Sequence, residues 1–493
     1  MLRHFLHDLR MTFQRQARRP ALVHRNRTWT YAELDSTARA CAAYLQSIGV
    51  AAGDRVALYT DQKLPLLVAN LGVWLAGGVP LPLNPRFTRE EMRYYLSDSG
   101  AIAVIAGRDQ QPLVEQLARE LPQPPLVVPD SAVLAPPPAT FREVTSEATD
   151  PSLILYSSGT TGWPKGVVHT QANVASSLAA LAACWRVTPD DVVVNVLPLF
   201  HVHGLAFATH LTWLAGGCVR ILDAFEPRET LAAIGQGTIF MAVPPIYYRL
   251  LDTPEFRGAA SGWDRVRLFT CGSAPIRTEV LPELQQILGR PIINRYGMSE
   301  AFVISSLPLD GPWPDGSVGL PLSGVELRIQ HAENRAAAAR EVGAVQLRGP
   351  NLFREYWNKP EATAAAFSGG WFDTGDLGQL DSAGMLTLVG RQHDLIITSG
   401  YNVYPQVVER VIGECPGVLE CAVLGLPDKD RGERVAAAVV RGDASLDESR
   451  LRNWWRDRLV HYQQPKSILF VESLPKNSLG KILRRELRER FGE

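Results

Sequence analysis

The sequence has 493 residues, of which 46% are hydrophobic and 20% are charged, a composition typical of soluble proteins. This length is too great for a single hydrophobic core, so at least two domains are expected. Fifty basic and 51 acidic side chains leave a net charge of −1, which gives no indication of a nucleic-acid or anionic-membrane partner. The six cysteines have no C-x-x-C or metal-ligand spacing and indicate buried thiols in a reducing compartment.

The N-terminal segment carries charges every few residues and lacks the apolar region of a secretory signal. Phe5, Leu6, Leu9 and Phe13 are spaced to form one face of a helix that docks on the protein. The longest apolar stretch, residues 64–83, is interrupted by glycine and proline, which predicts a buried helix followed by a turn instead of a membrane span. We therefore expect a cytoplasmic protein.

Strands and helices alternate in the first quarter of the chain, and this alternation predicts a parallel α/β sheet. The predicted elements are helix 36–48, strand 54–59, helix 64–75, helix 90–97 and strand 101–106. The proline-dense residues 122–139 predict a surface segment before the next strand.

Residues 156–167, YSSGTTGWPKGV, follow the apolar end of a predicted strand. The glycines allow a tight turn that directs backbone N–H groups at an anion, while hydroxyl groups and a lysine add further donors. The segment predicts a phosphate-binding loop, although the G-x-x-x-x-G-K-[ST] pattern of kinases and GTPases is absent. A solvated hydroxyl-rich loop is the alternative, and the proline, lysine and glycine after a buried strand argue against it. The candidate phosphate-binding residues are Ser157, Ser158, Gly159, Thr160, Thr161, Gly162 and Lys165.

This segment resembles the phosphate-loop motif of the adenylate-forming superfamily, which includes acyl- and aryl-CoA synthetases, peptide-synthetase adenylation domains and luciferases. Further motifs match in the same order from about residue 20 to residue 490, and HVHGL, VPPIYYR, GSAPI and RYGMSE together look most like malonyl-CoA synthetases. The resemblance implies an α/β fold with a large N-terminal domain of parallel sheets, residues 1–391. A small, mobile α+β domain, residues 392–493, would carry the catalytic lysine.

The segment LPLFHVHGL follows a predicted strand at 192–196. His201 and His203 would point the same way on an extended segment, but no other ligand is spaced to complete a metal site. The resemblance implies that His201 lines the acyl pocket and belongs to the candidate catalytic residues. Plain packing of His201 is the alternative.

Two later segments are expected to surround the nucleotide. The resemblance implies that Tyr296 stacks on adenine, that the Ser299 hydroxyl contacts the α-phosphate, and that Glu300 holds Mg²⁺ together with Thr160. Family members carry Thr more often than Ser at position 299. A turn with a solvated glutamate is the alternative for Y-G-x-x-E alone. The candidate nucleotide-binding residues in these segments are Gly272, Ser273, Ala274, Pro275, Asn294, Arg295, Tyr296, Gly297, Met298 and Ser299.

The resemblance also implies that Asp376 and Arg391 contact the ribose. The residues after Arg391 form a compact run with their own predicted elements. These are strands 422–426 and 434–440 and a helix at 449–459. We place the hinge at His393, where relatives more often carry Asp or Lys. The resemblance implies that the small domain rotates, withdraws the lysine and presents its other face, near Gly400–Tyr404, to the thiol. The candidate hinge and coenzyme A residues are His393, Ser399, Gly400 and Tyr401.

The C-terminal LPKNSLGK matches the family motif whose lysine reaches the active site during adenylation, here Lys481. A solvated basic face is the alternative. The implied reaction joins a carboxylate to ATP, releasing pyrophosphate, after which a thiol displaces AMP. Coenzyme A is the expected thiol because no carrier domain follows Glu493. The candidate catalytic residues are Lys481, Thr160, Glu300 and His201.

Two arginines match positions of the malonyl-CoA synthetases and indicate a small dicarboxylate such as malonate or methylmalonate. Arg249 and Arg295 would hold the distal carboxylate, with His201 and Ser273 nearby. The alternative is that each arginine pairs with a structural Asp or Glu. A medium- or long-chain fatty acid is the second candidate substrate. A catalytically silent nucleotide-binding protein is a third hypothesis, disfavoured by the retained catalytic motifs.

Overall fold

A computed structural model describes residues 3–157, 163–331, 335–476 and 481–491. The strands of these residues are β1 Pro20–His24, β2 Arg27–Thr30, β3 Arg55–Tyr59, β4 Val79–Pro82, β5 Ala103–Ala106, β6 Leu126–Pro129, β7 Pro151–Ser157, β8 Lys165–Thr170, β9 Val192–Asn195, β10 Cys218–Ile221, β11 Ile239–Ala242, β12 Leu268–Cys271, β13 Ile292–Met298, β14 Phe302–Ser306, β15 Ser317–Pro321, β16 Glu326–Gln330, β17 Gly343–Arg348, β18 Glu355–Tyr356, β19 Phe367–Ser368, β20 Trp371–Leu380, β21 Leu386–Arg391, β22 Ile396–Thr398, β23 Tyr401–Val403, β24 Val418–Asp428, β25 Gly432–Arg441 and β26 Ser467–Val471.

The helices are interleaved with these strands. They are α1 Phe5–Arg15, α2 Tyr31–Ser47, α3 Lys63–Leu75, α4 Arg89–Ser99, α5 Gln111–Ala118, α6 Asp130–Leu134, α7 Gln171–Cys184, α8 Leu211–Ala215, α9 Pro227–Ile234, α10 Pro244–Leu251, α11 Phe256–Ala260, α12 Leu281–Leu288, α13 Pro360–Ala365, α14 Pro405–Gly413, α15 Glu448–Trp455 and α16 Arg484–Arg490. A π-helix spans His203–His210, and short 3₁₀ turns span Thr278–Val280 and Gln392–Asp394.

Two sheets of the N-terminal part have parallel strands, as the alternation of strands and helices predicts. Strands β4, β3, β5 and β6 form one sheet in that order. Strands β1, β10, β9, β11, β12 and β13 form the parallel half of a larger sheet. Residues of β5 and β11 are buried along their whole length, as expected for strands covered by helices on both faces.

The larger sheet continues as an antiparallel half, β14, β15, β21, β20, β17 and β16. Strands β7 and β8 form a separate antiparallel hairpin with β18. The sequence pattern did not predict this mixed arrangement, because antiparallel pairing depends on contacts between distant segments. The consequence for the site is that β12, β13, β20 and β21 belong to one continuous sheet.

A further sheet is built from the residues after Arg391. It contains β23, β22, β25 and β24, with β26 pairing β25. The 3₁₀ turn Gln392–Asp394 connects the large sheet to this one. A domain boundary in this turn remains our proposal.

Local signals explain several element boundaries. Helix α2 begins at Tyr31, five residues before the predicted start, because Thr30 and Glu33 form a capping box. The predicted apolar face of the N-terminal helix is confirmed, since its Phe5, Leu6, Leu9 and Phe13 are buried. Among the described residues, no helix combines the length and apolarity that crossing a membrane requires.

Candidate active site

The β7–β8 hairpin presents the two described ends of the predicted phosphate-binding segment. Ser157 and Lys165 are register partners at the end of the hairpin where the connecting loop begins and ends. The Lys165 ammonium lies 4.7 Å from the centroid of the Tyr356 ring, a cation–π contact. Residues 158–162 lie outside the described residues, so the predictions for Ser158, Gly159, Thr160, Thr161 and Gly162 concern positions that the structure does not describe.

Glu300 lies just after β13 and is only 7% exposed. The Tyr356 hydroxyl donates to Glu300 Oε1 at 3.1 Å, and the Ser157 side chain is a further hydrogen-bond partner. Burial raises the pKa of Glu300, whereas these hydrogen bonds act in the opposite direction. The site suits a magnesium ion bound by one carboxylate and phosphate oxygens. Among the described residues there is no cluster of three or more His, Cys, Asp or Glu side chains that could hold a metal without such a substrate.

Tyr296, Asp376 and Arg391 form one hydrogen-bonded group. The Tyr296 hydroxyl donates to Asp376 Oδ2 at 2.5 Å. Arg391 Nε lies 3.1 Å from Asp376 Oδ1, across the register pair that these residues form between β20 and β21. The structure thus joins the predicted adenine residue to both predicted ribose residues, although stacking and ribose binding remain predictions.

Lys481 lies close to this group, although more than 80 residues separate it from Arg391 in the sequence. Burial, and after it the positive charge of Arg391, lowers the pKa of Lys481 to about 8, while Asp376 and Asp394 oppose the shift. The predicted catalytic lysine is therefore within electrostatic reach of the predicted ribose-binding pair. A lysine with this pKa is largely protonated at neutral pH and can neutralise phosphate charge.

Arg295 is a buried guanidinium at the end of the parallel half of the large sheet, only 4% exposed. Its Nη2 donates to Ser273 Oγ at 3.1 Å, and its guanidinium lies 5.0 Å from the Phe207 ring. Ser273 Oγ is 3.3 Å from His203 Nδ1. A Cβ on Gly272 would lie 2.5 Å from Arg295 Nε, so glycine is required there for the arginine to adopt this position.

No described aspartate or glutamate pairs with Arg295, and its Nε has no hydrogen-bond partner in the described part of the chain. Burial lowers the pKa of Arg295 to about 10, which still leaves it charged at neutral pH. A buried charge without a counter-ion is costly unless a ligand supplies one. The pairing of Arg295 with a structural carboxylate, the alternative considered above, is therefore not present among these residues.

The two histidines after β9 are not on an extended segment, contrary to our expectation. His203 begins the π-helix and is buried, whereas His201 precedes it and is half-buried. Burial lowers the pKa of His201 to about 4 and that of His203 well below its usual value. Both side chains are therefore neutral at pH 7. The structure places His203, not predicted as a site residue, in contact with Ser273.

Arg249 was expected to hold the distal carboxylate together with Arg295, and this role remains a prediction. Helix α10 buries Ile246, Tyr247 and Leu250, so Arg249 lies on the flank of the helix and is exposed. Its guanidinium lies 4.5 Å from the Phe225 ring. Spacing along the sequence matched the subfamily pattern but did not determine which side of the helix faces the pocket.

The remaining nucleotide candidates lie in two neighbouring chain segments. Ser273 has φ +73° after β12, with Ala274 and Pro275 following it. In β13, Asn294 Oδ1 accepts from the Arg295 backbone N–H, and a Cβ on Gly297 would overlap the backbone of β14.

Met298 is half-buried at the end of β13, and the Ser299 carbonyl accepts from His169 Nε2 at 2.6 Å. Sequence reasoning missed His169 and Tyr356. An aromatic residue or histidine inside a strand gives no sign of its distant partner.

The hinge and coenzyme A candidates lie together on the C-terminal part. His393 is in the 3₁₀ turn, with Nε2 3.7 Å from Asp394. Ser399 and Gly400 both have positive φ, at +50° and +80°. The exposed Tyr401 stacks on Tyr462, with ring centroids 4.5 Å apart. The roles of these residues remain predictions.

Comparison with known proteins identifies two family models. The model of the AMP-binding enzymes matches residues 9–357, and that of the AMP-binding enzyme C-terminal domain matches residues 407–481. The chain is 34% identical to the mitochondrial malonate–CoA ligase ACSF3 of Bos taurus over 88% of this chain and 81% of that protein. It is also 34% identical to the long-chain-fatty-acid–CoA ligase FadD13 of Mycobacterium tuberculosis over 94% of this chain and 93% of that protein.

The structure is similar to that of ATP-bound MatB from Rhodopseudomonas palustris. The TM-score is 0.94 at 34% identity, covering 100% of this chain and 99% of that one. Against apo MatB of the same organism the TM-score is 0.83. The present arrangement thus resembles the nucleotide-bound form more closely.

Proposed function

We propose, from the premise that this chain belongs to the family of AMP-binding enzymes, that it activates a small dicarboxylate such as malonate or methylmalonate. The enzyme class is that of the AMP-forming acid–thiol ligases. A carboxylate attacks the α-phosphate of ATP to give an acyl-adenylate and pyrophosphate. Coenzyme A then displaces AMP and leaves as the acyl thioester. A cytoplasmic location remains a prediction from the sequence.

The first half-reaction requires charge neutralisation and positioning more than covalent chemistry from the protein. Ser157 and Lys165 would contact the phosphates, and Asp376 with Arg391 would hold the ribose. Glu300 would hold Mg²⁺, which supplies positive charge to the phosphate oxygens when bound. Lys481 adds a second positive charge from the C-terminal part.

The uncompensated buried guanidinium of Arg295 is the observation that supports a dicarboxylate. A distal carboxylate of the substrate would give this charge its counter-ion, and Ser273 would add a hydroxyl donor. The guanidinium of arginine has two parallel N–H donors, and their geometry matches the two oxygens of a carboxylate. A fatty acid offers no such group and would leave the guanidinium unpaired, at a cost of roughly 3–5 kcal/mol.

Sequence identity alone does not decide between the two substrate classes. The malonate and long-chain-fatty-acid ligases named above are equally identical to this chain, at 34%. A fatty acid therefore remains the second candidate. The distinction depends on what Arg295 contacts when the acid is bound.

A substrate panel tests the proposal. We would measure kcat/KM for malonate, butyrate and octanoate in the wild type, Arg295→Met and Arg249→Ala. Wild type should prefer malonate to octanoate by several orders of magnitude, as sites with buried donors reject ligands that leave them unpaired. Arg295→Met should lose this preference while its activity on butyrate is retained.

Two outcomes would contradict the proposal. If octanoate is the best wild-type substrate, the acid is a monocarboxylate and Arg295 is structural. If Arg249→Ala abolishes the malonate preference and Arg295→Met keeps it, recognition lies on the flank of α10 and the assignment to Arg295 is wrong.

A further inference from the structure

Helix α4 contacts both ends of the phosphate-binding segment. The hydroxyl of Tyr156, the first residue of the segment, donates to Asp98 Oδ2 at 2.8 Å. The Tyr94 hydroxyl donates to the carbonyl of Pro164 at 2.6 Å, directly before Lys165. Tyr94 and Asp98 are four residues apart and therefore lie on the same face of the helix.

A stacked pair of rings strengthens the second attachment. The rings of Tyr94 and Trp163 are 4.6 Å apart with an interplanar angle of 22°. Trp163 is 57% exposed, so its burial alone does not account for its position. The hydrogen bond and the stacking together hold the backbone at Trp163 and Pro164 against Tyr94.

The helix that makes these contacts is itself firmly held. The ammonium of Lys359 lies 3.0 Å from Asp98 Oδ1, and the Trp357 indole donates to the Asp98 carbonyl at 3.1 Å. The Asp98 side chain is only 11% exposed. A Thr88–Glu91 capping box begins the helix, and Gly100 in the left-handed conformation ends it.

The positions that these contacts fix are those of Ser157 and Lys165. Ser157 follows Tyr156 directly, Lys165 follows Pro164 directly, and the two are register partners across the hairpin. A group that binds a transferring phosphoryl loses efficiency when it is displaced by about 1 Å. Support from packed neighbours keeps such groups in place.

We propose that Tyr94 and Asp98 of helix α4 are positioning residues for ATP, because they hold Ser157 and Lys165 at the two ends of the phosphate-binding segment. The inference rests on the proposed use of ATP. In this proposal Tyr94 and Asp98 do not touch the nucleotide. They act by fixing the positions of Ser157 and Lys165.

Hydroxyl deletions test this inference. Tyr94→Phe and Tyr156→Phe each remove one of the two hydrogen bonds and keep the ring. Tyr95→Phe is the matched control, because Tyr95 lies on the same helix and its hydroxyl has no hydrogen bond to a described residue. We would measure the Kd of Mg-ATP by calorimetry without acid, and the KM values for ATP and acid in ATP–pyrophosphate exchange.

Each of the two deletions should weaken ATP binding by about threefold to tenfold, the loss expected from one hydrogen bond. The KM for the acid should stay at the wild-type value, and the control should bind ATP normally. Trp163→Leu, at an exposed position that the fold does not need, should weaken ATP binding in the same way if a tyrosine variant folds poorly.

The outcomes separate this inference from the proposed function. Failure of the wild type to bind ATP would contradict the proposed function itself. Wild-type ATP affinity in Tyr94→Phe, Tyr156→Phe and Trp163→Leu would overturn the positioning role alone. A parallel rise of the KM values for ATP and acid would also overturn it, because it would indicate general structural damage.

Discussion

Asp376 and Arg391 face each other across β20 and β21, with Arg391 Nε 3.1 Å from Asp376 Oδ1. Tyr296 donates to the other carboxylate oxygen. A carboxylate held from both sides has one preferred orientation, so its remaining lone pairs are directed at a fixed point. This pre-organisation suits recognition of two neighbouring ribose hydroxyl groups.

Asp376→Asn should reduce kcat/KM for ATP by about tenfold to a hundredfold, because charge-assisted hydrogen bonds are replaced by weaker neutral ones. ATP–pyrophosphate exchange measures the change. The KM for the acid should not rise, since the acid does not contact this residue in the proposed arrangement. An increase in the KM for the acid, with no change in the kinetic parameters for ATP, would contradict the assignment of Asp376 to the ribose.

Lys481→Ala should nearly abolish adenylation and spare thioester formation from a supplied acyl-adenylate. Lys481 neutralises phosphate charge only in the first transition state, so only that barrier should rise. Single-turnover measurements of each half-reaction make the comparison. Equal losses in both half-reactions would contradict the proposed role of the lysine.

The adenylation rate should also depend on pH through Lys481. Its pKa is lowered to about 8, first by burial and then by Arg391, so the charged form predominates below pH 8 and is lost above it. The adenylation rate of the wild type should therefore fall as pH rises through about 8. Lys481→Arg, if active, should keep its rate to higher pH, because arginine remains charged. The same alkaline decline in both proteins would assign it to another group.

His393→Pro should slow thioester formation more than adenylation. His393 lies in a 3₁₀ turn, a conformation whose usual φ of about −50° to −70° includes the value that proline imposes, so the variant should keep the present conformation and resist a change in it. His393→Ala is the control for loss of the imidazole. Wild-type rates for both half-reactions in the proline variant would exclude His393 as the hinge.

The buried Lys63 should make the stability of the protein depend on pH. Its ammonium is buried and has no hydrogen-bond partner in the described part of the chain, and burial lowers its pKa to about 7. Because the folded pKa lies below the unfolded one, the unfolded state binds more protons between about pH 7 and 10.5, and stability should rise with pH across that window. Lys63→Met should raise the unfolding free energy at pH 7 by roughly 1–3 kcal/mol. Melting temperatures from pH 7 to 10 test this, and an unchanged slope in the variant would contradict it.

The order of elements and the candidate nucleotide residues were accessible from the sequence because their signals are local. Strand β3 and helix α3 were predicted within one residue at each end, since apolar runs and turn residues mark them directly. The predicted phosphate-binding segment does join two strands, although their antiparallel pairing with β18 was not foreseen.

The acid pocket was less predictable because it depends on side-chain direction. Arg249 and Arg295 matched the same subfamily pattern, yet one is exposed and the other buried. His203 was not singled out because no further ligand is spaced to complete a metal site and the family motif points to His201; the structure shows that His203 starts a helix. The contacts of Tyr356 with Lys165 and Glu300 span 56 or more residues of sequence, and no local pattern encodes them.

The absence of a side chain at Gly272 sets a limit on how this enzyme could be redesigned. Because a Cβ there would meet the Arg295 guanidinium at 2.5 Å, any replacement must push the arginine out of its present position. A library that randomises the acid pocket should therefore keep residue 272 as glycine if an anionic acid is wanted. Conversely, alanine at this position offers a route to altered acid selectivity in which Arg295 itself stays unchanged.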